Sequence, residues 1–119
     1  MIKGLSKNRH GIADYTYVPL VLAAPELLSF TEEKATANLC YSVAGLVLGY
    51  SLLTDAPWGA VKWISYKTHA ALDLGVGLAT LAAPLVVKPV TQKARNTLLL
   101  MGLTGLVVGT LSLIGAKRT

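Results

Sequence analysis

A chain of 119 residues has room for one domain. It is 53% hydrophobic and only 14% charged, with a mean hydropathy of +0.54, whereas a soluble domain is about 25% charged. The net charge of +5 would suit nucleic acid, but the basic residues lie between and beside apolar stretches and form no patch. Membrane topology accounts for them better, and no nucleic-acid partner is expected.

Four stretches are apolar on all sides and long enough to cross a bilayer, at about 11–30, 35–54, 70–87 and 97–116. So small a soluble bundle could not bury four such helices on every face. Ahead of the first span stand Lys3, Lys7 and Arg9, which imitate a signal peptide. Asp14 interrupts the apolar run and Pro25 follows the small pair Ala23-Ala24, so the expectation is an uncleaved first helix. Glu26 lies near the far end of that helix, within reach of water. Thr31 and Lys34 mark a short turn. The second span holds the single Cys40, a packing residue with no partner for a disulfide, and a stripe of small residues, Ser42, Gly45 and Gly49.

A connection at about 55–68 carries Trp58, Trp63 and Tyr66 beside Lys62 and Lys67. Aromatic rings with lysines anchor a chain at the headgroups, so this segment is expected along the membrane surface. The third span opens with His69 and Asp73 and is followed by a turn with Pro89 and Thr91. The fourth repeats the small stripe as Gly102, Gly105 and Gly109, a spacing that lets helix backbones approach closely.

The two halves match. His10, Asp14 and Leu22-Ala23-Ala24-Pro25 recur 59 residues later as His69, Asp73 and Leu81-Ala82-Ala83-Pro84. After one inserted residue, Gly45 and Gly49 align with Gly105 and Gly109. Histidine, aspartate and proline in fixed register indicate a duplicated hairpin. The expected fold is all-α: one transmembrane domain, 1–119, forming a four-helix bundle of two tandem hairpins. Repeat 1 covers about 6–54, the linker about 55–68 and repeat 2 about 65–116. Each copy has an even number of spans, so the copies should insert alike, related by a pseudo-twofold axis along the membrane normal. Seven basic residues fall on the side of the termini and four on the other, which places both termini in the cytoplasm.

The pattern of His, three residues, Asp, an apolar helix and then a small residue before proline (Ala24-Pro25 and Ala83-Pro84) resembles the SPW-repeat family of small bacterial membrane proteins. Glu26 and Leu85 stand where that family has its tryptophan. The resemblance implies a four-helix domain of the bacterial inner membrane and brings no defined activity or catalytic residues.

His10 with Asp14, and His69 with Asp73, are each four apart and so share a helical face. The simplest reading is a pair near each helix start, with Asn8 and Thr68 as N-caps and the acids favoured by the helix dipole. If the first and third helices meet at the axis, the four groups could instead ligate a divalent metal or, through the histidines, haem. A proton relay at a membrane entrance is a third possibility. No nucleophile–base pair, phosphate loop or cysteine cluster is present, so no enzyme is expected. The preferred reading is a non-catalytic membrane protein that acts by association in lipid, as a homo-oligomer or as an accessory subunit of a larger complex. The alternative is a metal-, haem- or proton-handling protein using the paired residues.

Overall fold

In a computed structural model, which describes residues 7–56 and 59–118, the described chain folds into helices joined by short turns and one longer connection between the second and third helices. They are α1 (Lys7–Leu27), α2 (Lys34–Leu52), α3 (Tyr66–Ala82), the single turn α4 (Pro84–Val87) and α5 (Gln92–Arg118). No strand occurs among the described residues beyond an isolated bridge between Thr54 and Ile64. Trp58 and Ser6 lie outside the described residues.

Local chemistry sets the boundaries. α1 runs on through Pro19 and Pro25 and stops where Ser29 turns left-handed, at φ 60°. The chain then tucks Phe30 into the core, its N–H bonding the Pro25 carbonyl. α3 begins at the N-cap Ser65, whose hydroxyl accepts from the Thr68 N–H at 3.1 Å. The expected cap, Thr68, therefore sits inside the first turn, and Asn8 is likewise within α1. Pro84 opens α4, where its missing N–H costs nothing. Thr91 caps α5 by accepting from Ala94 at 3.2 Å. The linker closes back on α2: the N–H groups of Ala60 and Val61 reach the Leu52 carbonyl, and those of Trp63 and Ile64 reach Leu53. These bonds satisfy carbonyls that a helix end leaves free.

α1 packs along α2 and α3 packs along α5, giving two hairpins. A core of Val18, Val21, Phe30, Val43, Val47 and Leu98, with other small and apolar side chains, lies between them. Burial follows the same 59-residue register in the two hairpins. His10, Gly11, Asp14, Val18, Val21 and Pro25 are buried in the first hairpin, and the residues 59 positions on are also buried: His69, Ala70, Asp73, Gly77, Thr80 and Pro84. Large apolar side chains are exposed on every long helix, among them Ile12 and Leu20 on α1, Leu46 on α2, Leu78 on α3 and Leu100 on α5.

Among the described residues three segments are long and apolar enough to cross a membrane: Lys34–Leu52, Tyr66–Val87 and Gln92–Gly115. The expected fourth, α1, has the length at 21 residues. Arg9, His10, Asp14 and Glu26 lower its hydropathy.

Candidate ligand site between the hairpins

The two His–Asp pairs meet in the interior. His10, Asp14, His69 and Asp73 each offer one ligand atom, and these atoms all lie within 4.8 Å of one another. Both histidines are fully buried, and the aspartates are 6% and 4% exposed. Each pair is in contact within its own helix: His10 Nε2 is 2.8 Å from Asp14 Oδ2, and His69 Nε2 is 3.4 Å from Asp73 Oδ2. The contacts across the hairpins are shorter. His10 Nε2 lies 2.6 Å from Asp73 Oδ2, and His69 Nε2 lies 2.5 Å from Asp14 Oδ2. The imidazoles stack edge to face, with centroids 4.6 Å apart.

The reading of each pair as a helix-start device does not hold. Both helices begin earlier than the sequence suggested, so Asp14 and Asp73 each occupy the eighth position of their helix. The helix dipole acts only within the first turn. Each aspartate instead answers a histidine of the other hairpin.

A shell of hydroxyl groups surrounds the four. Tyr50 donates to Asp73 Oδ1. His69 Nδ1 is 2.7 Å from Thr54 Oγ1, while His10 Nδ1 meets Ser112 Oγ and lies 3.3 Å from the Tyr66 hydroxyl. Each imidazole therefore turns Nε2 toward the carboxylates and Nδ1 toward a hydroxyl. Beside the carboxylates, between all four long helices, is a cavity of about 10 Å³ whose walls include Tyr17, Tyr50 and Thr104. That is about the room one water needs.

Tyr66, expected at the headgroups, is buried against His10, because it forms the first residue of α3 and not part of the linker. Trp63 remains an exposed ring, at 77%. The stripes part company. A Cβ on Gly102, Gly105 or Gly109 would come within 3.0 Å of α3 atoms, so α3 rides directly on that stripe. Gly77 supplies the opposing face: its Cβ would fall 2.5 Å from Leu106 N. Ser42, Gly45 and Gly49 do not pack inside the chain. All three are exposed, and a Cβ on Gly45 or Gly49 would meet nothing within 4 Å.

At the other end of the bundle, Glu33 joins the two turns. Its carboxylate accepts from the Val90 N–H at 2.5 Å and from the Thr91 hydroxyl at 2.5 Å. The Thr91 hydroxyl and the backbone N–H groups hold this carboxyl below its ordinary range.

The chain matches no family model, no curated protein and no solved structure.

Proposed function

We propose that the protein is a non-catalytic integral membrane protein of two like-oriented hairpins that acts through association, with a second copy or as an accessory subunit of a larger complex. The bacterial inner membrane, with both termini cytoplasmic, is its proposed location, in keeping with the resemblance to SPW-repeat proteins. The observation that carries the reading is the contrast between the stripes. In lipid, apolar side chains gain little from burial against one another, so close backbone approach supplies much of the attraction between helices. Gly102, Gly105 and Gly109 have such a partner in α3, whereas the equivalent face of α2 presents Ser42, Gly45 and Gly49 with nothing against them. That face fits a helix of another chain. The cavity beside the histidines has room for about one water, too little for a substrate.

Native mass and cross-linking of the full chain, in membranes and in mild detergent, test the reading. An assembly is expected with the parent sequence and a weaker one with Gly49→Leu. A chain that stays alone in both media, with or without the substitution, would refute it.

The convergence of the four polar residues favours a second role, ligand binding at the joint between the hairpins. Haem does not fit there. Both Nε2 atoms address the same two carboxylates, and the 10 Å³ beside them has no slot for a porphyrin.

A further inference from the structure

We propose that the joint between the hairpins binds one divalent transition-metal ion of the zinc class, with His10 Nε2, His69 Nε2 and the carboxylates of Asp14 and Asp73 as its ligands. The proposal rests on the ligand reading of this joint and names the ligand.

Three observations support it. Two nitrogens and two oxygens, drawn equally from both hairpins, lie within 4.8 Å of one another. Tetrahedral coordination at about 2.0–2.1 Å sets neighbouring ligand atoms about 3.3 Å apart. Of the four nitrogen–oxygen edges, His69–Asp73 is already 3.4 Å and the other three are 2.5–2.8 Å. An ion would therefore lengthen these nitrogen–oxygen edges by less than about 1 Å, within reach of small side-chain rotations. Second, the outward nitrogens are occupied. Ser112 and Thr54 stand at the Nδ1 atoms, the arrangement in which a metal-bound imidazole is held in one tautomer with its lone pair on Nε2. Third, the charges balance. Two carboxylates and one divalent ion sum to zero beside neutral imidazoles, so the interior carries no net charge. Two imidazoles with two carboxylates suit zinc, cobalt(II), iron(II) or manganese(II). Calcium and magnesium take oxygen ligands, and copper(I) prefers sulfur. Four protein ligands also make a closed site, the kind that supplies stability and not catalysis.

The full chain, purified in mild detergent, is stripped with chelator, reloaded with Zn²⁺ or Co²⁺ and desalted, and its metal is measured by mass spectrometry. One ion per chain is expected, with the intense visible bands of tetrahedral cobalt. Asp14→Asn with Asp73→Asn should abolish retention, and Glu33→Gln should leave it unchanged. Ser112→Ala, which removes no ligand, should weaken affinity by roughly 10–100-fold. Failure of the stripped parent chain to take up zinc or cobalt at micromolar concentration would overturn the proposal. So would a pale octahedral cobalt spectrum, or an ion kept by the double variant. Should the double variant not fold, the cobalt spectrum of the parent chain decides alone. Loss of metal binding with an unchanged oligomer would leave the association reading standing, and the converse result would leave the metal site standing.

Discussion

Asp73 illustrates how a residue's partners decide its worth. Its side chain is 5% exposed and answers His10 from the other hairpin, with Tyr50 donating to the second oxygen. Removing one member of a buried charged pair strands the other and costs about 3–5 kcal/mol. Asp73→Asn should lower stability by that order in detergent denaturation. Asp55→Asn should change it by about 1 kcal/mol or less, because the Asp55–Lys62 pair spans 3.7 Å with both side chains more than half exposed. Equal effects of the two would show that the central cluster does not join the hairpins. The histidines and aspartates of this site were visible in the sequence because their spacing repeats. Tyr50, Thr54 and Ser112 were not: a lone tyrosine on an apolar helix gives no sign of its partner, and a Ser or Thr hydroxyl there ordinarily bonds back to its own preceding turn, as Thr54 also does to the Tyr50 carbonyl. Thr16, Thr80, Thr97 and Thr104 do so here, each to the carbonyl four residues earlier. Nothing in the local sequence separates Ser112 from them.

Glu33, in the turn outside the spans, makes a contribution that depends on pH. Its carboxyl titrates below the ordinary 4.5 because Thr91 and two backbone N–H groups favour the charged form. A depressed acid contributes fully above its unfolded value and loses that contribution as pH falls through the folded one. The parent chain should therefore melt above Glu33→Gln at neutral pH, and the gap should close on acidification below 4.5. A gap that stays constant would assign the effect to shape and not to charge.

Among the elements, α3 and α5 form the tightest pair, and glycine is the reason. With Gly77 facing Gly102 and Gly105, the two backbones come so close that a methyl group at Gly77 would sit 2.8 Å from the Gly102 carbonyl oxygen and 2.5 Å from Leu106 N. Those neighbours are backbone and cannot swing aside. Gly77→Ala should force the helices apart and destabilise by about 1–3 kcal/mol, the range for overpacking. Gly45→Ala meets open space and should leave the isolated chain's melting temperature unchanged. Thermal melts of both variants in a detergent that keeps the chain monomeric make the comparison. The sequence announced both stripes through spacing, yet spacing says only that a face can pack closely. It names no partner, which is why α2 and α5, similar in pattern, end in opposite environments. The first helix of each hairpin was more legible. Its buried positions follow His, Asp and Pro, and they recur in register.

For the molecule as a whole, α1 decides the topology. Hydropathy alone admits three spans and leaves α1 out. A transfer scale charges each polar residue as though it faced lipid. In the fold His10 is fully buried and Asp14 nearly so, satisfied by groups on α3 and α5. Their cost is met inside the protein, while the outer surface of α1 shows Ile12, Leu20, Leu22 and Leu27. α1 also matches α2 in length, 21 residues against 19, and packs along it. The long dimension of the molecule is 44 Å, close to the roughly 40–45 Å of a bilayer with its headgroups. In the proposed topology four crossings would bring both ends of the chain to one side, and the excess of basic residues there would place that side in the cytoplasm. Three crossings would leave the two ends on opposite sides. Reporters that work only in the cytoplasm, fused separately ahead of Met1 and after Thr119, should therefore both be active. An active C-terminal reporter with a silent N-terminal one would mean that α1 lies along the surface. α1 would then lie on the face opposite the start of α3, His10 and Asp14 could not meet His69 and Asp73, and the strong effect of that centre on stability would not be observed.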